Sequence, residues 1–321
     1  MVNDYNLLQS EKWQKLQKDL GKKTFFEETP EYTYLATLEK TPILNYLYVP
    51  YGPCSVSPTA FNEAIESLKQ LAKKQNAMFI RIEPRNPSNA KILINKAKFH
   101  DLYIKKTKDL NPKETWVIDL TGDETEVKNK IPSRLFRYYK NAEKNGITIE
   151  TSKNPDDIKY LVDLQKALAK TKKINIFSEE YLKTELKQDF ATLYLVKYKN
   201  PEVENAESKV IAAGLVFDDD TTRYNLQGAQ DEAFRKAHAT GILTVKLILD
   251  AKEKGLSLFD CWGIAPENAS KNHPWAGFTA FKKTFAGEEV DYAGTWDLIL
   301  NRSKYRTYSF MRKINRLRRK I

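Results

Sequence analysis

The sequence predicts an α/β protein built from a duplicated unit. β-Rich segments alternate with amphipathic helical segments along the whole chain. The order strands, helix, returning strand occurs once in each half, although no letter-level repeat is visible. No run of 18 apolar residues interrupts the alternation, and residues 1–20 are polar, so neither a spanning helix nor a secretory signal is expected.

Trp13, Leu16 and Leu20 share a helix face and predict an opening helix. YTYLATL (32–38) and ILNYLYV (43–49) read as strands. Ser57-Pro58 then supplies a cap and a first-turn proline for a helix to about Lys74. AMFIRIE (77–83) is the next strand, Ser88 to Ala97 a short crossover helix, and TWVIDL (115–120) a further strand. Thr121 with Glu124 reads as a capping box. Pro132 interrupts that helix, and a basic amphipathic helix resumes through Lys144 until Gly146 stops it.

The second half repeats the layout. Asn154-Pro155 starts a helix through Leu168, and Ser178 starts another. FATLYLVKY (190–198) and VIAAGLVFD (210–218) flank a polar turn, followed by TTRYNLQGA (221–229) as the next strand. A long helix over about Ala233 to Lys254 leads to the strand LSLFDCWG (256–263). These readings place one domain at 1–121 plus 294–321, where a terminal helix returns, and a second at 122–293, with the linker within 121–146.

With 41% hydrophobic and 30% charged residues, 321 residues suffice for two folded domains. Cys54 and Cys261 lack metal-ligand spacing and read as ordinary buried thiols of a reducing compartment. The histidines (His100, His238, His273) are scattered, which speaks against a histidine-based metal site. The net charge of +11 is concentrated, because residues 298–321 hold nine basic side chains and no acid. Phe310, Ile314, Leu317 and Ile321 form one apolar stripe there, expected to dock on the body. Arg312, Lys313, Arg316 and Lys320 would then face outward. RNA phosphates, anionic lipid or a pyrophosphate-bearing substrate would suit that stripe, and so would plain solvent.

Conventional catalytic signatures are absent: there is no GxSxG, no strand-borne GxGxxG and no phosphate-loop GK[ST]. Asp156–Asp157 and Glu179–Glu180 sit where helices start, so they favour the helix dipole rather than acid/base work. A pyrophosphate-binding turn of the acetyltransferase kind would need glycine where Arg235-Lys236-Ala237-His238-Ala239-Thr240 has His238, which disfavours coenzyme A. The richest stretch is HPWAGFTAFKKTFAG (273–287), with Trp275, Phe278, Phe281 and Phe285 at helical spacing and Lys282 beside them. A lysine there can stabilise a developing oxyanion, or can belong to a core helix and snorkel to water.

FTAFKKTFAGEEVDYAGTWDLILN (278–301), preceded by YNLQGAQDEAFRK (224–236) and LFDCWGI (258–264), resembles the C-terminal signature of Fem aminoacyltransferases. YLYVPYGP (46–53), IRIEPR (80–85) and IPSRLFRYYKNAEKNGI (131–147) agree in the same order. The similarity runs from LLQSEKW (7–13) to YRTYSFMRKINR (305–316). It implies two tandem acetyltransferase-like (GNAT-type) domains with mixed sheets and no coiled-coil insertion. It also implies transfer of an amino acid from aminoacyl-tRNA to a stem-peptide amine of a UDP-linked or lipid-linked muropeptide. That chemistry needs no cofactor and no metal, and belongs in the cytoplasm, with room for peripheral contact at the inner face of the membrane.

Residue by residue, the resemblance assigns Phe281 and Lys282 to the active-site pair, with the Phe281 carbonyl or the tRNA ribose taking the amine proton. Tyr181 resembles a tyrosine lining the muropeptide site, and Tyr224 is a candidate on the strand beside it. The family's phosphate contacts fall on Phe177, where arginine is usual, and near Gln17-Lys18, leaving Lys18 as candidate, with Lys172 or Lys173 as substitutes. Arg137 and Lys140 on the basic helix are further substrate-phosphate candidates, and the terminal Arg312, Lys313, Arg316 and Lys320 are the tRNA candidates.

Overall fold

Each half of the chain folds around its own seven-stranded mixed sheet. The structure, a computed structural model, describes residues 6–99, 103–172 and 176–318, excepting the side chains of 98–99, 171–172 and 315–318. It divides into two compact units, Met1–Lys113 with Asp291–Ile321, and Glu114–Val290.

The first unit opens with helix α1 (Glu11–Asp19) and strands β1 (Lys23–Glu28), β2 (Tyr32–Lys40), β3 (Asn45–Val49) and β4 (Cys54–Ser55). Helix α2 (Pro58–Lys74), strand β5 (Ala77–Ile82), helix α3 (Ser88–Phe99) and strand β6 (Tyr103–Lys106) follow. The second unit begins with β7 (Glu114–Asp119), α4 (Glu124–Asn129), α5 (Ser133–Lys140), β8 (Ile147–Ser152), α6 (Ile158–Lys172) and α7 (Glu179–Leu186). It continues through β9 (Ala191–Tyr198), β10 (Lys209–Asp218), β11 (Thr222–Gln230), α8 (Ala239–Glu253), β12 (Leu258–Gly263), α9 (Ala276–Lys282) and β13 (Glu288–Asp291). Strand β14 (Trp296–Ile299) and helix α10 (Arg302–Arg318) return the chain to the first unit.

The first sheet has the order β1-β2-β3-β5-β14-β6 with β4 on β2, and the second β13-β7-β12-β11-β10-β9-β8. Each contains a parallel pair joined by a crossover helix: β3-α2-β5 in the first, β11-α8-β12 in the second. That shared unit is the repeat the element order predicted.

Helix α2 buries Phe61, Ile65, Leu68 and Ala72 against Leu47, Ile80, Ile82 and the returning Trp296 and Leu298. In the second unit, α8 packs Ile242, Val245 and Ile248 against Tyr194, Val196 and Val216. The alternate strand residues Leu193, Leu195, Leu215 and Phe217 are buried as well, and α6 packs on β10 and β11, so both faces of this sheet are covered. A buried carboxylate pins the end of the first unit: Glu83 accepts from the Tyr48 hydroxyl (2.7 Å), the Leu110 and Asn111 amides (3.1 Å each) and the Thr295 hydroxyl (2.7 Å).

The structure corrects several expectations. The units change at 113/114 and 290/291, because Glu114–Asp119 pairs with Leu258–Gly263 and so belongs to the second sheet. The capping box is Asp123 with Glu126; Thr121 instead bonds back to the Asp119 carboxylate. The basic helix ends at Lys140, and Lys144 sits in a separate 3-10 turn closed by Gly146 at φ 72°. The helix expected from Ala233 breaks at His238, where φ is 55°. In α10 the docked side chains are Tyr305 and Tyr308, whereas Phe310, the first residue of the expected apolar stripe, is 64% exposed; the Leu317 side chain and Ile321 lie outside the described residues. The two tyrosines dock by ring packing on Phe79 and Tyr46. The short or polar strands β1, β6, β8, β13 and β14 carried no sequence signal strong enough to read. Among the described residues no helix is long and apolar enough to cross a membrane.

Candidate active site

Strands β11 and β12 pair in parallel only at Thr222↔Leu258, Arg223↔Phe259 and Tyr224↔Asp260. Past that row each strand continues with its other neighbour, β11 along β10 and β12 along β7. Both are bulged at the parting: β11 between its pairs Asn225↔Val216 and Gln227↔Leu215, and β12 between Asp260 and Gly263. A bulge bends its strand and steepens the local twist, so two bulges side by side open the sheet between parallel strands. Trp262 takes φ 66° in the β12 bulge, and the buried Asp260 carboxylate holds this turn by accepting from the Trp262 amide at 2.7 Å. The Tyr224 ring meets the indole edge-on at 6.2 Å, and its hydroxyl donates to Asp219 at 2.7 Å. Tyr224 is 3% exposed, so it supports the indole from beneath.

Helix α9 brings Lys282 to this opening. The Thr279 hydroxyl accepts from the Ala265 amide at 2.8 Å, tying α9 to the segment that leaves β12. Lys282 Nζ then donates to the Gly263 carbonyl at 2.7 Å, at the open end of β12. Burial pushes the Lys282 pKa down, opposed by the neighbouring Asp260 carboxylate. Burial also pushes the Cys261 thiol up to about 12, so it stays protonated and is no nucleophile. Phe281 packs edge-to-face on Phe285 at 5.5 Å, anchoring α9 in the core of the unit. The Phe281 carbonyl already accepts the Thr284 hydroxyl at 2.7 Å and the Thr284 amide at 3.1 Å. Both lone pairs are thereby engaged, which argues against that carbonyl as a proton acceptor.

The pattern carried by this segment is known. The model of the FemAB family matches residues 183–313, a stretch that includes β11, β12 and α9. Residues 183–313 thus carry the FemAB family pattern that the resemblance led us to expect. Its fold is similar to that of FemX, with a TM-score of 0.79 at 19% identity over 95% of each chain. It is also similar to L-PGS from Bacillus licheniformis (TM-score 0.55, 17% identity, 90% of this chain and 92% of that one). A tandem GNAT protein from the clavulanic acid biosynthesis pathway gives TM-score 0.51 at 12% identity, over 87% of this chain and 84% of that one. These likenesses show the fold, two GNAT-like domains in tandem. No curated protein matches the chain.

The other residues read from the sequence lie on other elements of the two units. Tyr181 lies on α7, stacked on Phe177 at 4.7 Å, and burial with the adjacent Glu185 lifts its phenol above the usual range. Glu185 is itself 2% exposed, and burial pushes its carboxyl up to about 8. Arg137 and Lys140 are exposed on α5, with Lys140 Nζ over the Phe136 ring at 5.6 Å. In the first unit, Lys18 is exposed beside the buried Gln17. Arg312 and Lys313 are exposed on α10, Arg312 stacking on Tyr308 at 5.6 Å. The Arg316 and Lys172 side chains, and Lys320, Lys173 and His100 entirely, lie outside the described residues.

His238 occupies the left-handed position that a glycine-bearing turn would use, at the start of α8. Its ring stacks on Tyr138 at 4.2 Å, and burial with nearby Arg134 holds its pKa down, so it is neutral near pH 7. Beside it, a Cβ on Gly241 would meet Leu135 of α5 at 2.7 Å. Sequence reasoning missed Asp260, Trp262 and the pair Gln165–Gln227, whose side chains join at 3.1 Å just past the β11 bulge. DCWG reads as plain strand, and neither its bulge nor the left-handed tryptophan leaves a letter-level trace.

Proposed function

We propose that this chain is a FemAB-type transferase throughout, which moves an aminoacyl group from aminoacyl-tRNA to a stem-peptide amine of a peptidoglycan precursor. The observation that carries this reading is Lys282, a half-buried lysine bonded at 2.7 Å to the last carbonyl of a strand that parts from its parallel neighbour. One of its three donors is engaged there, and two remain for an oxygen in the opening. The amine attacks the ester carbonyl, a C–N bond forms, and Lys282 stabilises the negative oxygen. The C–O bond to the ribose then breaks. With the Phe281 carbonyl engaged by Thr284, the departing ribose oxygen is the natural recipient of the amine proton.

The acyl ester is already activated, so no protein nucleophile is required, and the protonated Cys261 fits that economy. Tyr181 is assigned to the precursor peptide, Tyr224 to support of the site, and Lys18, Arg137 and Lys140 to precursor phosphate. Arg312, Lys313, Arg316 and Lys320 are assigned to the tRNA backbone. A cytoplasmic setting follows from these substrates.

Purified protein given labelled aminoacyl-tRNAs and both UDP-linked and lipid-linked muropeptides should transfer label to one acceptor. No transfer from any charged tRNA to either acceptor overturns the reading. Saturable micromolar binding of acetyl-CoA in calorimetry would favour a coenzyme A donor instead.

A further inference from the structure

We infer that Trp275 and Phe278 seat the terminal nucleobase of the donor RNA, an inference that rests on the transfer reaction proposed above. Phe278 lies on α9, which ends in Lys282, and Trp275 is the N-cap residue of that helix; the rings are 37% and 39% exposed. On a helix, positions four and seven residues before Lys282 share its face, about 6 and about 10 Å back along the axis. Between the two rings, a Cβ built on Gly277 meets nothing within 4 Å, so the ground beside them is open.

Trp275 is also held in place. The His273 ring meets it edge-on at 5.8 Å, and His273 Nδ1 accepts the Trp275 amide at 3.2 Å. An ordered, half-exposed indole at the N-cap of the helix that ends in Lys282 suits a planar π-face. In an aminoacyl ester on RNA, one ribose links the carbonyl to the terminal base, so the base rests within a turn or two of the lysine that meets the carbonyl. Stacking on aromatic side chains is the usual way a single-stranded end is gripped without reading its sequence. Phosphate recognition contributes little at this spot, because the adjacent Lys283 is paired with Glu289 at 2.9 Å.

The test compares two charged minihelix RNAs in steady-state transfer, one complete and one whose 3′-terminal nucleotide lacks its base. For the unmodified protein, loss of the base should raise the donor KM by about tenfold or more. Trp275→Ala should raise KM for the complete RNA by a similar factor, leave kcat within about twofold, and become indifferent to the missing base. Trp275→Phe should keep most of the discrimination, and Phe278→Ala should lose part of it. If both alanine variants keep the wild-type KM and still discriminate against the baseless RNA, the inference falls while the transfer reaction stands. If the unmodified protein transfers nothing from any charged RNA, both fall. A changed oligomeric state in Trp275→Ala with unchanged KM would assign the rings to a protein contact and overturn the inference.

Discussion

Lys282 is pulled two ways: burial favours its neutral form, while the Asp260 carboxylate and the Gly263 carbonyl favour the cation. Since the proposed role needs the cation, kcat should fall as pH rises through a pKa below the ordinary lysine range of about 10.4. A pH–rate profile with its basic limb at the free-lysine value would contradict this. Lys282→Ala should lower kcat by about 10²–10³, as for removal of an oxyanion donor, with melting temperature held near the wild type. Glu185 gives a stability counterpart. Its folded pKa of about 8 lies above the ordinary glutamate value of 4.5 because burial penalises the charged form, so the folded state binds the proton more tightly. Its contribution is full below the unfolded value and is lost as pH rises through the folded one. Glu185→Gln should therefore gain in melting temperature relative to the wild type as pH rises from about 5 to about 9, and a constant difference would refute the assignment. Lys282 was legible in the sequence because it sits in a motif; Glu185 was not, because a glutamate in SEEYLKTEL looks like any solvated helix position until the fold buries it.

Elements here are joined by close backbone approaches as much as by side chains. A Cβ on Gly287 would lie 2.5 Å from the Val117 carbonyl and 2.8 Å from Trp116 Nε1. That indole donates to the Phe285 carbonyl at 3.2 Å, so the clash would push the segment after α9 off β7. Gly287→Ala should cost about 1–3 kcal/mol and lower kcat as Lys282 shifts, measured by denaturant titration and single-turnover rates. The sequence located α2, α6, α7 and the central strands well, because caps and periodicity are local signals. It misplaced the capping box by two residues and ran a helix through His238. Asp123 outcompetes Thr121 only once the chain has turned off β7, and a left-handed histidine is stabilised by a ring, Tyr138, distant in sequence.

At the scale of the whole chain, one buried ion pair ties together the sequence ends of the first unit. Arg81 on β5 and Asp297 on β14 bond bidentately at 2.7 Å with 2% and 0% side-chain exposure, and the Tyr305 hydroxyl of α10 adds a third contact at 2.7 Å. Removing one partner leaves an uncompensated buried charge, so Asp297→Ala should destabilise that unit by about 3–5 kcal/mol in denaturant unfolding. Nothing in the sequence announces this pair, since a separation of 216 residues defeats any local pattern. The duplicated α/β order was nonetheless readable, because each crossover β-α-β is continuous in the chain.

Both cysteines of the chain, Cys54 at 0% and Cys261 at 2% exposure, are sealed in the interior of their units. The native protein is thus already a silent background for thiol chemistry. A single cysteine placed at exposed Lys313 would take a fluorophore or spin label alone, without prior removal of the native thiols, and could report RNA contact at α10 directly.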